Sequence, residues 1–299
     1  MRKPAPIAVF VYRRAGHARR MLHSLLQNRL AAESPICIFC DGPRSERDAP
    51  EVGQTRAAVS ELVPAHARIV ERSANLGLAR SVIEGVSAML EEYGEVIVVE
   101  DDLVLSPFAL DYFNQALERY RNEERVMHVS GYMFPVKAAL PEAFFYREAT
   151  CWGWATWARA WQHFEPDGNR IRRAVLERGE RRAFDVEGSI GFFEMLESQI
   201  AGRVDSWAIR WYGSLWMRGG LALHPGNSLV RNTGLDGSGE HCGVTSAFDV
   251  DLGAAPVRVF PDEVVENADA LRAVVAYRKA MTGANRLGRW RELWRRLIR

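Results

Sequence analysis

Residues 95–110 read EVIVVEDDLVLSPFAL. Val96 to Val99 is apolar at every position, the pattern of a strand buried on both faces. It runs directly into Glu100-Asp101-Asp102. Upstream, residues 6–12 (PIAVFVY) and 35–40 (PICIFC) repeat the pattern, and a shorter strand is expected around Ala67 to Val70. Between them, Met21, Leu22, Leu25 and Leu26 recur at helical spacing within 16–27, and further helices are expected near 51–62 and 79–92. Asp41-Gly42-Pro43 and Asn75-Leu76-Gly77-Leu78 read as turns. Strands alternating with helices predict an α/β chain with a mostly parallel sheet flanked by helices. In such sheets ligands bind at the carboxyl ends of the strands. That places Arg13, Arg14, Asp41 and Glu100 to Asp102 on one rim. A helix is expected to follow, starting at Ser106 with Pro107 as its first residue.

The 299 residues are 47% hydrophobic and 26% charged, which excludes a disordered or fibrous chain. Thirty-nine basic residues against 38 acidic ones give no reason to expect a nucleic-acid partner. No apolar run approaches the ~20 residues of a membrane-spanning helix, and no signal-peptide core is present, so a cytoplasmic protein is expected. Cys37 and Cys40 lie in a strand, where residues three apart point to opposite faces. With Cys151 and Cys242 isolated, the four read as reduced thiols rather than a zinc site.

Three adjacent acids ending a buried strand repel one another unless a cation sits among them. A divalent metal bridging carboxylate and phosphate oxygens would satisfy the cluster, and a solvated acidic turn is the plain alternative. Arg13 and Arg14 suit a pyrophosphate, or are surface charges at the start of a helix. Asp41 suits a nucleotide base or ribose, or is simply a turn residue. No P-loop, dinucleotide-binding glycine pattern or G-x-S-x-G is present.

Beyond about residue 126 periodicity fades and Trp and Gly increase. CWGWATWARAW over 151–161 holds Trp152, Trp154, Trp157 and Trp161. Such rings stack on sugar faces, while core packing accounts for at least two of the four. Asp205, before Ser206-Trp207, is either a general base or part of a helix N-cap. Asn232 and His241 lie in a Gly-rich stretch with the composition of a lid.

These segments resemble a GT-A glycosyltransferase. NLGLAR over 75–80 and VIVVEDDLVLSP resemble the bacterial family 2-like inverting sugar transferases. EDDLVLSPFAL over 100–110, CWGWATWARAWQHFEPD over 151–167 and Asp205-Ser206-Trp207 are similar to the N-acetylglucosaminyltransferase I family. The resemblance covers about residues 5 to 245. It implies donor contacts at Arg14, Asp41, Asn75 and Arg80, with Asp41 on the base, Glu100 and Asp101 on the donor sugar and ribose, and Asp102 as direct ligand of Mn²⁺ (or Mg²⁺). Trp152, Trp154, Trp157, Asn232 and His241 fall on the acceptor side. The family's base is the second Asp of Asp-Asp-Trp, a position held here by Ser206. The role then passes to Asp205, to Asp236, or to another acid of the 227–242 stretch. The implied enzyme is inverting and moves a sugar from a UDP-linked donor, such as UDP-GlcNAc, to a glycan or lipid-linked glycan.

This reading makes 1–260 one catalytic domain, with a nucleotide-sugar half (1–125) and an acceptor half (126–260), and 261–299 a helical tail. Residues 286–299 carry six Arg and one Glu. Leu287, Trp290, Leu293, Trp294, Leu297 and Ile298 share one helical arc, the pattern of a helix lying on an anionic membrane surface or docked on the body. Two rivals remain. A sugar nucleotidyltransferase would normally carry a Gly-rich loop and Lys after the first strand. A carbohydrate-binding protein leaves the acids unexplained.

Overall fold

The computed structural model describes residues 3–237 and 245–284, with side chains through 281. The chain runs β1 (Ile7–Val11), α1 (Ala15–Leu26), β2 (Ile36–Cys40), α2 (Ala49–Leu62), β3 (Arg68–Glu71), α3 (Leu78–Tyr93), β4 (Glu95–Glu100), β5 (Leu103–Leu105) and α4 (Ala109–Arg119). It continues through β6 (Val126–Ser130), β7 (Ala143–Tyr146), β8 (Trp154–Trp157), α5 (Ala158–Trp161), α6 (Gly168–Arg178), α7 (Arg181–Phe184), α8 (Phe192–Ile200) and α9 (Trp207–Met217). β9 (Leu221–Pro225), β10 (Val230–Asn232) and α10 (Ala268–Ala284) complete it.

Eight strands form one sheet in the order β3-β2-β1-β4-β8-β6-β9-β7. The first four are mutually parallel; β8 and β7 run against the other six. The chain is thus α/β, with a mostly parallel sheet flanked by helices. Alternation along the strands sorts the core. Ile7, Val9, Ile38, Ile97 and Val99 pack with α1 and α4 on one face. Ala8, Phe10, Phe39, Val96 and Val98 pack with α3 and α9 on the other. Cys37 and Cys40 fall on opposite faces as free, buried thiols, and Cys151 is free as well. α3 ends at Gly94, whose φ of 79° is the left-handed conformation that only glycine takes without strain.

Two expectations are corrected here. The helix after the acids begins at Ala109, because residues 103–105 are drawn into a ribbon with β10 and Ser106 N–H extends that ladder to Leu229 O at 2.8 Å. Ser106 is therefore no N-cap of α4; its hydroxyl donates to Gly253 O at 2.7 Å. The segment after 126, irregular in periodicity, supplies four strands to the same sheet. A small helical core of α6 to α9 packs beside it. At the start of the tail, α10 docks on the body through a buried ion pair of Arg278 with Glu148 at 2.6 Å. Among the described residues, no helix is long and apolar enough to cross a membrane.

Candidate active site

β1 and β4 lie side by side in parallel register, Phe10 beside Glu100, so the residues that follow each strand emerge together. Arg14 Nη2 reaches both Asp101 Oδ1 and, at 2.8 Å, Asp102 Oδ2. All three side chains are largely buried (21, 7 and 13% exposed). Burial first, then Asp102 and Asp101, push the Glu100 carboxyl up to about 8. Burial also raises Asp101, to about 6, against the pull of Arg14. Burial alone would lower Arg14, but its two carboxylates outweigh it and leave a permanent cation. One guanidinium thus faces three carboxyls, and the cluster is short of positive charge.

The third wall comes from far along the chain. β10 pairs antiparallel with β5, Asn232 opposite Leu103. Thr233 then donates both its N–H (2.8 Å) and its hydroxyl (2.9 Å) to Asp102 O. Gly234 follows so closely that a Cβ there would fall 2.3 Å from Asp102 Oδ2. His17 on α1 completes the corner. Its Nδ1 lies 2.8 Å from Arg20 and 3.3 Å from Thr233 Oγ1, and its Nε2 lies 3.2 Å from Asp236 Oδ2. With Arg20 donating to Nδ1, the ring's own proton sits on Nε2, toward Asp236. Burial, with Arg14 and Arg20, lowers its pKa and keeps it neutral.

The remaining expected residues fare differently. Asp41 is buried at the rim, but its carboxylate takes the N–H groups of Leu76 (2.9 Å) and Gly77 (3.1 Å) as well as that of Gly42. Asn75 donates to Gly42 O at 2.9 Å. Both residues tie the end of β2 to the start of α3. Arg80 is exposed on α3 and bonds Glu84 at 2.6 Å. Arg13 pairs with Asp48 at 3.3 Å, and Tyr12 donates to the same carboxylate at 2.9 Å.

Trp152, Trp154, Trp157 and Trp161 are buried. Trp154 is 0% exposed, stacked against Trp207 and His128, and Trp157 is buried with its Nε1 on Leu117 O at 3.1 Å. Neither offers a face to a sugar, which corrects the acceptor expectation for both; strand pairing of β8 between β4 and β6 encloses them. Trp152, also buried, lines an apolar cavity of about 30 Å³ beside Thr150, whose hydroxyl has no partner among the described residues. Asp205 is exposed at the start of α9 and bonds Arg210 at 2.8 Å, while Ser206 is the true N-cap, accepting Ile209 N–H at 3.3 Å. Of the described acids considered for the base, Asp236 is joined to the Asp102 corner, through His17 and Thr233. His241, Cys242 and 286–299 lie outside the described residues.

Sequence reasoning missed Thr233, Gly234, His17 and Arg20. His17 and Arg20 lay one helical turn apart beside Arg14 and were readable as a cationic helix face; nothing local marks Thr233 or Gly234.

The ligand set fits a hard divalent cation in chemistry, since Glu100, Asp101 and Asp102 offer only oxygens. Among the described residues no three His, Cys, Asp or Glu converge into a cage. A cation held by one or two carboxylates and completed by substrate phosphates needs no cage.

No family model and no curated protein matches the chain. Among solved structures it is similar to a mannosyltransferase from Pyrobaculum calidifontis in complex with GDP-Man and Mn²⁺ (12% identity, TM-score 0.39, over 73% of this chain and 70% of that one). It is also similar to a cytidylyltransferase from Leptospira borgpetersenii (8%, TM-score 0.33, over 55% and 64%). At these values nothing about this chain's chemistry follows from them.

Proposed function

We propose that the chain is a GT-A-type glycosyltransferase that moves a sugar, with inversion, from a UDP-linked donor such as UDP-GlcNAc to a glycan or lipid-linked glycan. The observation that carries this reading is the Arg14–Asp101–Asp102 cluster at the carboxyl end of β4, under-compensated in charge and placed where parallel sheets bind ligands. Asp102 would hold Mn²⁺ or Mg²⁺, and when bound the ion neutralises charge developing on the leaving nucleoside diphosphate. Arg14 and Arg13 bind the diphosphate. Glu100 and Asp101 orient the donor sugar and ribose through hydrogen bonds. Asp41 and Asn75 act on the base by holding the 75–77 turn, with Arg80 beyond it on α3. Asp236 takes the proton of the acceptor hydroxyl, its carboxylate oriented by His17 Nε2–H; Asp205, spent on Arg210, does not. Residues 286–299 would hold the enzyme at an anionic membrane surface carrying the acceptor.

The test is thermal unfolding with UDP, GDP, CDP and dTDP, each with and without Mn²⁺, for wild type and Asp102→Asn. A nucleotide at a hundred times its Kd adds about 2.7 kcal/mol. The expected result is a Mn²⁺-dependent rise in Tm for one nucleotide, lost in Asp102→Asn. Absence of any nucleotide shift defeats the reading.

A further inference from the structure

An open polar cleft of about 410 Å³ is lined by Arg231, Asn232, Thr233, Asp249, Val250 and Asp251. Its volume is within the range of about 300–1,000 Å³ usual for small-molecule sites. We propose that this cleft seats a neutral sugar unit of the acceptor, with Asp249 and Asp251 receiving its hydroxyls, Arg231 and Asn232 donating to its oxygens. The assignment rests on the transferase reading above and adds the acceptor's place and chemistry to it.

Position comes first. The cleft and the Asp102 corner share consecutive residues: Asn232 and Thr233 line the cleft, Thr233 holds Asp102 O, and Gly234 abuts the Asp102 carboxylate. A sugar in the cleft would therefore lie next to the residues that hold Asp102. The opposite wall is equally anchored. Phe248 is 1% exposed, packs edge-on against Trp152 and takes the Tyr132 hydroxyl on its carbonyl at 3.1 Å. Val250 is buried, and Gly253 is bonded through both its N–H and its carbonyl, to Ser228 and Ser106. With Val250 turned inward, Asp249 and Asp251 on either side of it are exposed to the cleft. Neither carboxylate has an ion-pair partner among the described residues.

Chemistry then selects the occupant. Asn232 is 5% exposed, and its Oδ1 takes Gly234 N–H at 2.7 Å. Its Nδ2 donates to nothing among the described residues and is left as a donor on the cleft. Two carboxylates, an amide donor and a guanidinium on one concave surface are the complement of a ring of hydroxyls, each of which both donates and accepts. Two carboxylates against one guanidinium disfavour a phosphate or an anionic sugar.

The experiment is saturation-transfer NMR with methyl glycosides of glucose, galactose, mannose, N-acetylglucosamine and N-acetylgalactosamine, and of glucuronic acid as the anionic control. Wild type is compared with Asp249→Asn/Asp251→Asn, and with each single variant should the double variant unfold. The expected result is transfer to at least one neutral glycoside and none to the glucuronide, lost at least tenfold in the variant, with the nucleotide-dependent rise in Tm retained. No glycoside bound by wild type, or binding unchanged in the variants, overturns the assignment. Glycoside binding that depends on the two Asp in a protein no nucleotide stabilises would keep the cleft as a sugar site and defeat the transferase reading instead.

Discussion

Arg14 touches both Asp101 and Asp102, and its charge is what allows two carboxylates to lie close together at the end of a buried strand. Breaking a fully buried ion pair from one side costs about 3–5 kcal/mol. Arg14 is a fifth exposed, so Arg14→Met is expected to lower the unfolding free energy by about 2–3 kcal/mol in EDTA. Mn²⁺ should stabilise the wild type and, by more, the variant, because removing the guanidinium leaves Asp101 and Asp102 still shorter of positive charge. Urea unfolding with and without the ion checks both. An Arg14→Met protein that ignores Mn²⁺ would show that the carboxylates take no divalent cation. The acids and Arg14 were legible in sequence because each directly follows an apolar strand. The burial of Trp154 and Trp157 was not, since the same indole that stacks on a sugar also fills a core.

At the scale of elements, the rim is built by turns that lock one strand end to the next helix. Asp41 does this for β2 and α3, its carboxylate accepting from Leu76 and Gly77 just before α3 begins. Hydrogen bonds to a charged acceptor contribute about 1.5–3 kcal/mol. Asp41→Ala should therefore destabilise the protein by about 2 kcal/mol and speed amide exchange in the first turn of α3, with or without nucleotide. A variant that keeps its stability and exchange rates while losing nucleotide binding would mean that Asp41 serves the ligand alone. The elements of the first half could be read from period and turn residues. The start of α4 could not, because pairing of β5 with β10 decides where the extended chain ends.

Across the whole molecule, polar groups buried in the sheet tie stability to pH. Burial lowers His128 to about 3 and His224 to about 4, so both are neutral in the native protein. An unfolded histidine titrates near 6.5, so between about pH 4 and 6.5 the unfolded chain holds more protons on these rings and stability is lost as pH falls. Each ring contributes a slope of up to about 1.4 kcal/mol per pH unit. Glu100 and Asp101, raised in the native state, act with the opposite sign as pH rises toward about 8. His128→Gln isolates one ring: urea unfolding from pH 7 to 4.5 should show a slope smaller than wild type by about that amount. An unchanged slope would mean that His128 is already charged in the native protein. The sequence by itself determined the α/β class, the rim and the acids on it, because strand burial and turn chemistry are written in consecutive residues. Only the tertiary structure decided that Thr233 and Gly234 close on Asp102, that Asp236 rather than Asp205 stands at that corner, and that Trp154 and Trp157 are core. The first two join residues more than a hundred apart in sequence, the third joins strands a few dozen apart, and no local pattern carries their pairing.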